Sequence, residues 1–196
     1  METTTNKKWV LDPSHSELTF KVKHMMITNV NGEFKNFSVE VDGEDIFKST
    51  LKLNVDASSI NTNNEDRDNH LKSADFFDVE IYEKLTFESS LFEKIDDNEY
   101  KLHGVLTIKG ISKKVILDVE FGGYMKDPYG NEKAGFSVSG KINRKEFGLN
   151  WNAALEAGGV MVSDEVKLSS EVQLVKQSLK HELQRRKEVA LSEADK

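Results

Sequence analysis

The chain has 196 residues, no cysteine, 37% hydrophobic and 31% charged residues, and a formal net charge of −7. This is the composition of a globular chain able to bury a sizeable core, and it excludes disulfides, thiol catalysis and thiolate metal sites. It lacks the basic field expected of a nucleic-acid binder or of wholesale adhesion to anionic membrane, while leaving room for a local basic patch.

The opening METTTNKKWVLDPSH has no apolar signal-type stretch and no small-residue cleavage site, which predicts a cytoplasmic protein. Asp12, Ser14 and His15 stand close together, but DPSHS reads as a turn entering a strand rather than as a hydrolytic triad. In LTFKVKH, Leu18, Phe20, Val22 and His24 point one way and Thr19, Lys21 and Lys23 the other; Met25 and Met26 follow. FSVEV alternates Phe37, Val39 and Val41 with polar residues, and LKLNVDA does so with Leu51, Leu53, Val55 and Ala57. Later stretches repeat the pattern: Tyr100, Leu102, Leu106 and Ile108; Val115, Leu117, Val119 and Phe121; Phe136, Val138, Gly140 and Ile142; Val166, Leu168, Ser170, Val172 and Leu174. Such alternation predicts half-buried antiparallel strands. Asn31–Gly32, Asp42–Gly43, Lys109–Gly110 and Tyr129–Gly130 read as the turns between them, and Gly104 and Gly140 as points where a strand bends. A closed barrel buries every apolar face and leaves no exposed edge.

Two segments break the period. Residues 64–74, NEDRDNHLKSA, read as a short helix capped by Asn63 or Asn64, with Glu65 and Asp66 in its first turn. It leads directly into Phe76 and Phe77, which cannot share one face of a strand. The expectation is a corner at which Leu71, Phe76 and Phe77 plug or line one mouth of the barrel, or simply complete its core, while Arg67, Asp68 and Lys72 stay wet. Residues 176–196 are rich in helix formers and carry six basic and four acidic residues, which predicts a helical appendage outside the barrel.

No compact catalytic signature is present. The five histidines, His15, His24, His70, His103 and His181, form no close metal-ligand pair, and His103 alternates outward. There is no G-x-S-x-G nucleophile motif. GGYMKDPYG lacks the context of a phosphate loop, and NTNNEDRD lacks the glycine and terminal glutamate of a calcium loop. No catalytic residue, metal or cofactor is predicted.

WVLDPSHSELTFKVKHMMITNVNGEF (9–34), RDNHLKSADFFDVEIYEKLTFES (67–89), HGVLTIKGISKKVILDVEF (103–121), and INRKEFGLNWN followed by VSDEVKLSSEV occur in order along the chain. Together they resemble the YceI-like family, described as polyisoprenoid-binding proteins. The resemblance covers residues 8–175 and implies a lipocalin-like antiparallel β-barrel with an elongated apolar cavity. It associates the fold with long isoprenoid chains, including quinones, and with other amphiphiles. Many members carry a secretory leader and act in the periplasm, from which this chain departs. Glu83 and Lys114 stand where prolines are common in the family, at positions that read as loops.

The expected function is non-catalytic binding of a long isoprenoid or similar lipid, with the alternative of a filled barrel acting as a protein-interaction scaffold, and with a homodimer possible. Prenyl chains need no hydrogen bonds, and burial contributes roughly 0.8 kcal/mol per CH₂. The predicted apolar pocket is Phe20, Val22, Met25, Phe34, Phe37, Phe76, Phe77, Leu102, Leu106, Val119, Phe136 and Val138. The predicted head-group contacts are His24, which ends an inward-facing run, Arg67 and His70, which are one helical turn apart, and Arg144, whose alternative is a local carboxylate such as Glu146.

Overall fold

The structure, a computed structural model, describes residues 9–177. Eleven strands follow in chain order: β1 (Trp9–Leu11), β2 (Glu17–His24), β3 (Thr28–Phe34), β4 (Phe37–Val41), β5 (Leu51–Asp56), β6 (Ile60–Asn61), β7 (Lys84–Lys94), β8 (Glu99–Ile108), β9 (Ile111–Lys126), β10 (Glu132–Asn143) and β11 (Val162–Lys176). A single α-helix among the described residues, α1 (Glu65–Lys72), lies between β6 and β7.

The first six strands are three longer strands, each broken once. β1 and β2 are separated by a 3-10 turn at Pro13–His15, and both pair with the same edge of β11. β3 and β4 are broken at Lys35–Asn36, and β5 and β6 by a 3-10 turn at Ala57–Ser59. Counting each broken pair once leaves eight strands, each antiparallel to the next, and β1–β11 pairing closes the ring. This is the closed antiparallel barrel expected from the alternation, in the lipocalin-like form that the resemblance implies. Asp12 and Asp56 make two of the breaks by accepting from the backbone N–H of Ser14 and Ser58, and so cap the short turns.

Asp12 is also a node of the closing seam. Its carboxylate takes hydrogen bonds from Ser14 Oγ (2.6 Å), Lys133 Nζ (3.0 Å) and Gln173 Nε2 (2.8 Å), and His15 Nδ1 lies at 3.0 Å. Burial works to raise its pKa, but the hydrogen bonds from Ser14, Lys133, His15 and Gln173 outweigh it and hold the carboxyl well below the usual range. Ser14 and His15 both bond to Asp12, which is the arrangement of a turn and not of a nucleophile–base pair.

Several local expectations need correction. Asn31–Gly32 is not a turn but lies inside β3, with Gly32 opposite Phe20; the Phe20 ring occupies the space a Cβ would need. The reversal falls at Met25–Ile27, where Met25 and Met26 adopt φ of 51° and 63°. Gly104 likewise makes room for the Phe87 ring, and the ladder shifts register at Ser89/Leu91 on β7, opposite it. Lys114 is within β9 opposite Val105, not in a loop. Asn64 is the cap of α1, accepting from Arg67 N at 2.9 Å. Asp68 is not wet: it is 8% exposed and accepts from Thr62 N (2.8 Å) and Thr62 Oγ1 (2.5 Å). Lys176 belongs to β11, and the rest of the expected appendage, from residue 178, is outside the described residues. Among the described residues no helix is long and apolar enough to cross a membrane.

Candidate functional site

The barrel core divides into two clusters along its axis. At the helix end, Phe34, Val55, Ala57, Ile60, Phe76, Leu85, Ile108, Phe147 and Leu149 are buried together. At the opposite end, Trp9, Val39, Val41, Ile46, Phe87, Leu102, Val119, Ala134, Phe136 and Leu174 are. A cavity of about 150 Å³ runs between them, lined by residues of both. None of its lining residues is charged, and the only polar ones are Thr19, Thr86, Ser139, Ser169 and Ser170. Such a surface rewards an apolar ligand.

Aromatic side chains close both ends. At the opposite end, the 42–50 loop folds back through a 3-10 turn at Ile46–Lys48, capped by Asp45, whose carboxylate accepts from Phe47 N at 3.1 Å. This buries Ile46 and lays the Phe47 ring on Tyr100, stacked at 4.4 Å and 17°. Phe92, Phe121 and Phe136 meet Phe47 edge-on at 5.6, 5.2 and 6.1 Å. Trp9 Nε1 donates to the Glu44 carbonyl at 3.0 Å and holds the loop down. At the helix end, Phe77 meets Phe34 edge-on at 5.8 Å, and Phe34 leans on Phe20 at 5.7 Å. Phe76 packs on Trp151 at 5.4 Å, with the His70 ring edge-on to both.

The predicted pocket residues therefore separate. Phe20, Phe34, Phe37, Leu102, Leu106, Val119, Phe136 and Val138 line the cavity. Phe76 and Phe77 do not; they form the closure behind it, which answers why two rings stand together after a polar helix. Val22 is half-buried beyond the cavity, and Met25 is 43% exposed, because the β2–β3 hairpin runs on past the ring. Phe47 was missed, although Ile46–Phe47 is the same kind of signal as Phe76–Phe77: an apolar doublet that breaks the period just after an acidic residue.

The predicted head-group residues do not converge. His24 ends β2, half-buried and outside the cavity lining. The Arg67 guanidinium is taken up locally, with Nε donating to Thr62 Oγ1 and Nη2 to the Thr62 carbonyl, both at 2.8 Å. His70 Nε2 lies 2.9 Å from Asp75 Oδ2. Arg144 is 3% exposed and donates to the carbonyls of Leu149 (2.5 Å), Trp151 (2.9 Å), Ser163 (2.9 Å) and Val162 (3.3 Å). Burial pushes the Arg144 guanidinium pKa down, opposed by Asp164 at 4.0 Å; Glu146 is not its partner. These two arginines tie backbone together, a use that spacing alone does not reveal. Among the described residues no group of three or more His, Asp or Glu is placed to hold a metal ion.

Residues 9–174 match the YceI-like domain family. A UPF0312 protein of Staphylococcus epidermidis is 45% identical over 166 residues, covering 83% of this chain and 94% of the relative. One from Staphylococcus aureus is 46% identical over 165 residues, with coverage of 83% and 94%. The solved YCEI protein of Campylobacter jejuni is 38% identical, with a TM-score of 0.69 over 81% of this chain and 91% of that one. A polyisoprenoid binding domain from Saccharophagus degradans, 14% identical, has a TM-score of 0.67 over 88% of this chain and all of its own, a likeness of fold.

Proposed function

The chain belongs to the YceI-like domain family, and from that premise we propose that it is a non-catalytic binder of a long isoprenoid, of quinone or polyprenyl type, held in the barrel interior. The observation that carries this reading is the uncharged, almost wholly apolar lining that runs between the two core clusters. The family resemblance adds the isoprenoid class. A cavity of about 150 Å³ is the size that accepts one benzene. A chain of several five-carbon units therefore enters only if the end closures give way, and Phe47 and its neighbours are the groups it displaces. Each buried CH₂ contributes roughly 0.8 kcal/mol, which offsets that displacement and the cost of association.

The cavity's small size favours one rival, a filled barrel that serves as an interaction scaffold without an internal ligand. Native mass spectrometry of freshly purified protein, with solvent extraction of anything bound, separates the two. A stoichiometric prenyl adduct supports the carrier. An alkyl lipid keeps the cavity and overturns the isoprenoid assignment. Bare protein that refuses prenyl alcohols and quinones on titration sinks the carrier reading. The mass of the intact species in the same spectra tests a homodimer.

A further inference from the structure

We propose that the β2–β3 hairpin is a membrane-docking element that seats the helix end of the barrel on an anionic phospholipid bilayer. The inference rests partly on the lipid-carrier reading, since it supplies the route between bilayer and barrel.

Three features of this hairpin each work against folding. First, Met25 and Met26 are consecutive non-glycine residues at φ of 51° and 63°. The turn, closed by Ile27 N donating to the His24 carbonyl at 3.3 Å, is one that Asn-Gly adopts with far less strain. Second, the large side chains placed there are left in water: Met25 is 43% exposed, Met26 53% and Ile27 79%, beside Val160 at 38%. The tip is nonetheless held in place, because Met25 N donates to the Met161 carbonyl at 2.8 Å and Met26 lies over Gly159. Third, the outer wall behind the tip carries like charges in direct register. Lys21 on β2 is opposite Lys167 on β11, which is opposite Lys141 on β10, a pairing that destabilises a sheet. Lys141 has Glu165 at 3.4 Å; Lys21, Lys23 and Lys167 have no acidic partner within ion-pair distance among the described residues. Glu33, the acid nearest this row on β3, accepts from Asn61 at 2.9 Å.

One occupant relieves the second and third costs, and gives the strained turn a reason to carry large apolar side chains in place of Asn-Gly. An apolar tip that enters the boundary between head groups and acyl chains, roughly 5–10 Å deep, gives Met25, Met26 and Ile27 an apolar medium. Lys23 and Lys21 lie two and four residues before Met25, about 7 and 13 Å along the strand. Their long side chains reach forward to lipid phosphates, which also screen the lysine row. Phe20 and Phe34, which line the cavity, are carried by the same two strands. The net charge of −7 keeps the attachment local, weak and salt-sensitive.

The test is flotation of the full chain with vesicles of phosphatidylglycerol and phosphatidylcholine, against phosphatidylcholine alone. The expected result is binding to the anionic vesicles that falls as salt rises. Met25→Asn with Met26→Gly and Ile27→Ser should keep or raise Tm and weaken vesicle binding more than about tenfold. Lys21→Glu with Lys23→Glu should abolish the preference for anionic lipid. Failure of the wild type to float, or flotation of the tip variant equal to wild type, overturns the proposal. So does displacement by millimolar inorganic phosphate at constant ionic strength, which would assign the lysines to a free anion. Native mass spectra of the same samples keep the two readings apart. Lipid-filled protein that does not float removes docking and leaves the carrier; floating protein with an empty barrel supports docking and removes the carrier.

Discussion

Replacing Phe47 by alanine should weaken the empty protein and leave the lipid-bound protein almost unharmed. The ring is partly buried, so its transfer free energy is below the roughly 1.5–3 kcal/mol of a fully buried side chain, at about 1–2 kcal/mol. Its stacked contact with Tyr100 at 4.4 Å and edge-on contacts with Phe92 and Phe121 add about 0.5–1.5 kcal/mol for each well-formed pair. The expected loss is about 2–4 kcal/mol, or about 5–15 °C in Tm for a chain of this size. The vacated space joins the cavity, and one five-carbon unit that fills it regains about 4 kcal/mol. A four-unit prenyl alcohol should therefore raise the variant's Tm by more than it raises that of wild type, and its uptake, followed by tryptophan fluorescence in stopped flow, should be faster. An equal Tm loss with and without the alcohol, at an unchanged uptake rate, would mean that Phe47 is ordinary core and refute its role as a displaceable plug.

Arg144→Met should cost about 3–5 kcal/mol in urea unfolding, because four backbone carbonyls lose their donor. Arg144→Lys should rescue little of it, since an ammonium cannot reproduce the guanidinium fork. Asp12 has a folded pKa below its unfolded value, so its stabilisation is present above about pH 4 and is lost as pH falls toward the folded value. Asp12→Asn should accordingly flatten the acid limb of the stability–pH curve, measured by urea midpoints from pH 7 downward. Gly104→Ala, whose methyl would collide with the Phe87 ring and the Glu88 carbonyl, should cost about 1–3 kcal/mol, and Phe87→Leu in the same chain should recover part of it.

The barrel was legible because β5 and β10 alternate through their length and β8 and β9 through most of theirs, and a two-state pattern of wet and dry faces leaves few architectures. Inward-facing residues were legible for the same reason. Which inward residues border space and which fill it was not, because that depends on register between strands distant in sequence. Val22 and Phe20 share a face and a strand, yet only Phe20 lies within the span that the cavity occupies. Phe76 and Phe77 could be recognised as a corner, since adjacent rings cannot both obey a period of two. The arginines misled because a guanidinium is equally suited to a ligand head group and to a cluster of carbonyls, and only the fold reveals that Thr62, Leu149 and Trp151 had claimed them.

The closing seam bears on how the chain reaches this shape. Trp9 pairs with Lys176 and Leu11 with Leu174, so the last ladder of the ring joins residues at nearly the greatest sequence separation the described residues offer. Every other neighbour in the eight-strand ring is the next strand in sequence, joined by a turn or by one of two longer connections, 62–83, which carries α1, and 144–161. Contacts between such distant residues must wait for the intervening chain to be ordered, and topologies rich in them fold slowly. Joining residue 177 to residue 9 with a short linker in place of 178–196 and 1–8, and opening the chain at 127–130, would turn the seam into a hairpin and make the β9–β10 ladder the distant one. The native ring would be unchanged, while the order in which its ladders zip would be rewritten.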